Sequence, residues 1–123
     1  MRIVAGEFGG RNLVAPKGRG VRPTLEKVRE AVFDSIGPRI REARVLDLFA
    51  GSGAYGLEAL SRGAAHATFV DISPRSLESV RENLAKLGIP AARWTVMTAE
   101  AAEVVARFAK AGTAFDFIFV DPP

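Results

Sequence analysis

Three aspartates, each standing beside glycines or prolines, are the residues of this sequence best placed to do chemistry. Asp47 opens Asp47-Leu48-Phe49-Ala50-Gly51-Ser52-Gly53-Ala54-Tyr55-Gly56, in which Gly51, Gly53 and Gly56 fit G-x-G-x-x-G. Glycines at that spacing permit a tight turn, let a ligand approach the backbone and allow a helix to pack closely on its strand. Alone the pattern is weak; its place after an apolar stretch and before a helical one strengthens it. Asp71 stands 20 residues past Gly51, at the predicted end of the next strand, where an acid that grips a ribose hydroxyl belongs. Asp121-Pro122-Pro123 closes the chain. Two prolines lock the backbone and remove two donors, leaving a rigid row of carboxylate and carbonyl acceptors. Such a row can take hydrogen bonds from an exocyclic amine, orient its lone pair and stabilise the positive charge that develops as the nitrogen attacks. The bland alternatives are a glycine-rich turn beside an exposed aspartate and a proline stop after a buried strand. Strand, glycines, helix and acid agree in register against both.

Charge then sets the class of ligand. A dinucleotide would place its pyrophosphate on the helix N-terminus, where a nearby carboxylate repels it. Asp47 lies four residues before Gly51. A carboxylate there suits a cationic ligand bearing an ammonium and a sulfonium, which favours S-adenosylmethionine; a nicotinamide-dependent oxidoreductase is the alternative within the same fold. With no cysteine and a single histidine, His66, there is nothing from which to build disulfides, thiol catalysis, thiolate or histidine metal sites, or a Ser-His-Asp triad. No metal is expected. Ser52 has no base and reads as a small turn residue, His66 as a surface residue, and Trp94 with the phenylalanines from Phe115 to Phe119 as core. Tyr55 either packs against the cofactor or points to solvent.

The elements that must position these residues follow from periodicity. The 123 residues make one domain of 13.2 kDa, and 48% apolar with 25% charged residues is ordinary for a soluble globular chain. No apolar run approaches the roughly 18 residues of a spanning helix, and Ile3, Val4 and Ala5 after Arg2 are too few for a signal-peptide core, so a cytoplasmic protein with no membrane partner is expected. From Arg44 onward, short apolar stretches (45–49, 67–70, 93–97 and 115–120) alternate with helical ones (54–62, 74–87 and 99–111). That alternation predicts an α/β fold, Rossmann-like, with a mostly parallel sheet and helices on both faces. Ser73 before Pro74 is a cap, and Leu77, Val80, Leu84 and Leu87 form a buried stripe. Phe117 to Val120 is apolar on both faces, as for a strand covered by helices on each side. The chain ends directly after this fourth strand, so the sequence reads as part of a longer protein, and the strand offers an uncovered edge to another copy.

Residues 1–43 read as a basic extension packed on a partial core of residues 44–123. Its predicted parts are a hairpin over Arg2 to Phe8 and Asn12 to Ala15 around Gly9-Gly10, a loop over 17–23, and a helix capped by Thr24 with Leu25, Val28, Val32 and Ile36 on its apolar face. Seven basic residues against three acidic ones in positions 1–30 give +4, while the other 93 residues carry −1. Such an arm suits a polyanion such as RNA, and solvation alone explains it about as well.

Two sets of residues carry a resemblance. Asp47 to Gly53, Asp71 and Asp121-Pro122-Pro123 resemble the cofactor loop, ribose acid and catalytic motif of amino-methyltransferases that use S-adenosylmethionine. Arg2 to Arg11, Arg22-Pro23-Thr24, Val28-Arg29-Glu30 and Gly56 to Ala65 are similar to the bacterial small-subunit rRNA guanine-N2 methyltransferase family known as RsmD. The resemblance implies methyl transfer from S-adenosylmethionine to the exocyclic N2 of a guanine in 16S rRNA, within the assembling small ribosomal subunit. It implies a cofactor site at Asp47, Phe49, Ala50, Gly51, Ser52, Gly53, Asp71 and Ile72, with Glu100 next to the position where relatives carry an acid near the adenine. Asp121, Pro122 and Pro123 would be the catalytic motif, and Arg11, Arg19, Arg22, Thr24 and Arg29 would face RNA. The family's aromatic residue after the prolines and its later strands are missing here, which keeps a non-catalytic RNA-binding module as a further alternative. The base must leave its stack to reach such a site.

Overall fold

A computed structural model describes residues 1–15 and 23–122. Four parallel strands, β1 (Arg44–Leu48), β2 (His66–Asp71), β3 (Trp94–Thr98) and β4 (Phe117–Val120), form one sheet in the order β3-β2-β1-β4. Helices α1 (Pro23–Ile36), α2 (Ala54–Ser61), α3 (Pro74–Lys86) and α4 (Ala101–Ala111) surround it. Among the described residues no helix is long and apolar enough to cross a membrane. The alternation of side chains along each strand sorts the core into two layers. Val45, Phe69 and Phe119 pack with Leu57, Leu60, Leu77, Val80 and Leu84 on one face. Leu46, Leu48 and Val70 pack with Val104 on the other, with Phe108 and Phe115 against them. Ser73 caps α3 by accepting from the Ser76 N–H at 3.3 Å, and Leu77, Val80 and Leu84 are buried as their spacing predicts.

β4 departs from expectation. Phe119 is buried, but Ile118 and Val120 on the opposite face are 52% and 60% exposed. α4 covers Leu46, Leu48 and Val70 and leaves this edge strand bare on that side. Among the described residues no helix covers the Ile118 and Val120 face of β4.

Two expectations for the N-terminal third are corrected as well. The predicted hairpin reduces to a single antiparallel bridge, Arg2 to Asn12, closed by the Gly10 N–H to the Ile3 carbonyl (2.8 Å) and the Leu13 N–H to the Met1 carbonyl (2.7 Å). Residues 5–10 are turns. They do not extend the ladder because their amides are used elsewhere: Val4 and Ala5 donate to Glu58, Glu7 to the Ser61 carbonyl and Phe8 to Ser61 Oγ. In α1, which starts at Pro23 rather than after a Thr24 cap, the predicted face turns inward only in its second half, where Val32 and Ile36 pack against the core. Leu25 and Val28 are exposed, whereas Arg29 and Phe33 are buried at 3% and 1%. Phe33 stacks with Tyr55 and Phe119, and Arg29 reaches Glu58, so tertiary partners outweigh the apolar spacing. The predicted loop from Lys17 through Arg22 lies outside the described residues.

Candidate functional site

Parallel strands deliver their carboxyl ends to one edge, and the register decides which side chains meet there. Leu48 is paired with Val70 on β2 and with Val120 on β4. The next residue of each strand therefore stands level with Phe49: Asp71 on one side and Asp121 on the other. Asp47, two residues earlier on β1, shares its face with Phe69 and Phe119 and hence with Asp71 and Asp121. All three acids lie at the same edge of the sheet.

Between them the chain makes a tight bend. Phe49, Gly51 and Gly53 all adopt positive φ, 59°, 56° and 84°. For an aromatic residue that region is costly and marks a position held by its surroundings. The glycines divide the work. A Cβ on Gly53 would meet Val80 Cγ2 at 3.0 Å, and one on Gly56 would sit 2.3 Å from the Phe69 ring. Gly53 and Gly56 thus serve the packing of α2 and α3 on the sheet, while Gly51 and Gly53, both at positive φ, turn the chain. The Gly51 N–H donates to Asp71 Oδ2 at 2.8 Å, while Ser73 N–H donates to Asp71 Oδ1 at 2.8 Å. Asp71 thus ties the glycine bend to the start of α3.

Asp47 does the same for α2. That helix begins after Gly53 with no side-chain cap, and the N–H of Gly56 in its first turn donates to Asp47 Oδ2 at 3.0 Å. A buried carboxylate at a helix N-terminus supplies the acceptor that a missing cap would have supplied. Burial nevertheless dominates its titration. Desolvation, opposed by the Gly56 hydrogen bond and reinforced by the charges of Asp121 and Asp71, lifts Asp47 from 3.8 to about 7.

On the α4 side of the bend lies a cleft of about 280 Å³. Phe49, Ile72 and Ala99 line its apolar walls, with Asp71 and Glu100 at its polar positions. Four of the predicted cofactor residues, Phe49, Asp71, Ile72 and Glu100, therefore share one cavity. Ala50 is buried, Ser52 is half-buried, and neither they, Gly51, Gly53, Asp47 nor Asp121 line this cleft. Asp121 and Pro122 are exposed at the end of β4, and Pro123 is outside the described residues.

The predicted RNA residues separate. Arg11 is exposed and donates to the Lys86 carbonyl at 3.2 Å. Arg19 and Arg22 lie outside the described residues, and of Thr24 only the helical backbone is described. Arg29 is a correction: it is buried, its Nε is 3.3 Å from Glu58 Oε1, and it also donates to the Arg2 carbonyl. A guanidinium engaged this way inside the fold does not face RNA.

Sequence reasoning missed Glu58, Asn83 and Met1. Glu58 is fully buried and accepts from Val4 N–H (2.9 Å), Ala5 N–H (3.1 Å), Arg29 Nε (3.3 Å) and Arg62 Nε (2.9 Å). Asn83, equally buried, accepts from Val14 N–H and donates to the Val14 and Ser52 carbonyls. Ser52 Oγ donates to Met1 Sδ at 3.2 Å. The available signal was a charged or amide residue inside an apolar helical stripe, Glu58 between Leu57 and Leu60 and Asn83 between Val80 and Leu84.

A parallel sheet flanked by helices, with a glycine bend and acids at the carboxyl ends of its strands, is the Rossmann-like core found in S-adenosylmethionine-dependent methyltransferases; one solved example from Agrobacterium tumefaciens matches with TM-score 0.72 and 29% identity, over 85% of this chain and 33% of that one. Residues 1–123 match the family described as "Conserved hypothetical protein 95". The chain belongs to that family, the RsmD family that its sequence resembles. Ribosomal RNA small subunit methyltransferase D of Escherichia coli (strain K12) is 43% identical over 123 residues, 100% of this chain and 60% of that protein. A solved hypothetical protein of Thermus thermophilus has TM-score 0.84 and 32% identity, covering 100% of this chain and 69% of that one. The chain spans 60% to 66% of the length of the first curated relatives it matches.

Proposed function

We propose that this chain holds the donor-binding and acceptor-binding edge of a methyltransferase that acts on small-subunit ribosomal RNA, with the N2 amine of a guanine as acceptor and S-adenosylmethionine as donor. The observation that carries the reading is the meeting of Asp47, Asp71 and Asp121 around one glycine bend. The residues present fit such a donor. Asp47 has no cationic side chain paired with it among the described residues, and burial suppresses its charge. A positive ligand against the bend would restore that charge, whereas a pyrophosphate would meet three carboxylates. No observation favours a nicotinamide dinucleotide.

Phe49, Ile72 and Ala99 offer apolar walls to a flat heterocycle, and Asp71, half-exposed, keeps acceptor capacity for ribose hydroxyls beyond the two amides it already holds. The backbone of Ala50 to Gly53 would lie along the amino-acid part. When bound, the donor supplies a sulfonium methyl open to direct displacement by a nitrogen lone pair. The Asp121 carboxylate and the Pro122 carbonyl would accept hydrogen bonds from the acceptor amine, aim its lone pair and stabilise the positive charge that grows on it. Arg11, with Arg19 and Arg22, would contact phosphates.

Calorimetry with S-adenosylmethionine and with S-adenosylhomocysteine tests the donor site. Heat of binding is expected with both, and none with either on folded protein would overturn the reading. Asp71→Ala is expected to weaken donor affinity by about tenfold or more, because it removes a ribose acceptor and also frees Gly51 and Ser73. Methyl transfer to undermodified small-subunit particles tests the acceptor, with loss of transfer expected for Asp121→Ala.

A further inference from the structure

We infer that Tyr55 is a contact residue for the methyl acceptor, its ring and hydroxyl forming a side wall between the glycine bend and Asp121 against which a planar, amine-bearing purine is held. The inference rests on the methyl-transfer reading above. Tyr55 is the second residue of α2, two past Gly53, so the bend that shapes the donor site also places this side chain. Its ring centroid lies 5.4 Å from that of Phe119 and 6.1 Å from that of Phe33, and Phe33 and Phe119 are 5.2 Å apart.

Phe33 and Phe119 are closed into the core at 1% and 8% exposure, while Tyr55 is half-buried, so it is the member of this trio that keeps accessible surface. Phe119 stands two residues before Asp121 on β4, and strand alternation puts both on one face. The wall therefore runs from the core up to the acid that would hold the amine. Among the described residues the Tyr55 hydroxyl makes no hydrogen bond, and it is not one of the buried polar atoms lacking a partner. Burial and then the charge of Asp121, against the lowering influence of Arg29, hold the phenol above its ordinary range, so it stays a neutral hydroxyl that can both donate and accept. A rigid aromatic ring with a polar tip suits a base, which offers a π-face and a hydrogen-bonding edge.

The test uses the protein as wild type, Tyr55→Leu and Tyr55→Phe. Calorimetry gives S-adenosylhomocysteine affinity, and methyl transfer to undermodified small-subunit RNA gives kcat and KM. Tyr55→Leu is expected to lower kcat/KM for RNA by about tenfold while donor-product affinity changes by less than about twofold, with Tyr55→Phe falling between. A leucine variant with unchanged kcat/KM, or one that loses donor-product affinity in parallel, would overturn the inference while leaving the methyltransferase reading intact. A wild type that binds no donor would overturn both.

Discussion

Asp47 combines two duties that pull against each other. As acceptor for the Gly56 amide it organises α2, and as a buried carboxylate it resists ionisation, with its titration lifted to about 7. Between about pH 4 and 7 the folded chain keeps a proton that the unfolded chain has released. Stability from this residue is therefore full below the unfolded value, falls as pH rises through that window by up to about 4 kcal/mol, and is level above it. Asp47→Asn keeps an acceptor for Gly56 and cannot ionise. It is expected to flatten that slope and to raise the melting temperature of the ligand-free protein at pH 8, while abolishing donor binding. Urea melts across the pH range, paired with calorimetry, check both. That the residue mattered was legible in its spacing from the glycines; that it caps a helix and is largely desolvated was not, because both depend on how α2 sits over β1.

At the scale of elements, α2 is the piece everything else touches. The bend leads into it, its first turn carries Tyr55, and its second carries Glu58, which gathers the N-terminal segment, α1 and Arg62 onto one carboxylate. Removing one partner of a buried charge cluster leaves the others unpaired, so Glu58→Ala is expected to cost roughly 3–5 kcal/mol by chemical denaturation. Gly56→Ala would drive a methyl into the Phe69 ring, and since that ring is walled in, a loss of about 1–3 kcal/mol is expected from the same measurement. The strand and helix order could be read from the change of period along the chain, with boundaries shifting by one or two residues. The N-terminal hairpin and the burial of Arg29 and Phe33 in α1 in place of Leu25 and Val28 could not. Their amides and side chains find partners more than 20 positions away, Glu58 and Ser61 above all, and local pattern carries no trace of such pairings.

Across the whole molecule, the arm and the sheet edge are one structure. Ile3, Leu13, Phe33 and Ile40 share a core with Val45, Phe69 and Phe119, so the basic arm is registered against the acids. If the arm holds RNA through exposed cations, Arg11→Ala is expected to reduce the salt slope of RNA binding by about one unit without lowering stability. Arg29→Ala is expected to do the reverse, since its guanidinium serves the fold. Filter-binding or fluorescence titrations over a range of salt, alongside melts, separate the two.

What the amino-acid order by itself determined is the set of chemical groups and their place along the chain: glycines after the first strand, an acid at the end of the second, an acid and prolines after the fourth, and the turnover of periods that makes a parallel sheet. Parallel strands bring those ends together whatever lies between them, which is why the candidate site was readable in one dimension. The tertiary structure alone decided which groups are free to act. It committed Arg29 to Glu58 and left Arg11 outside, buried Asp47 against the start of a helix, and set Tyr55 beside Phe119. Burial and long-range pairing select among chemically identical side chains, and neither is a property of neighbours in sequence.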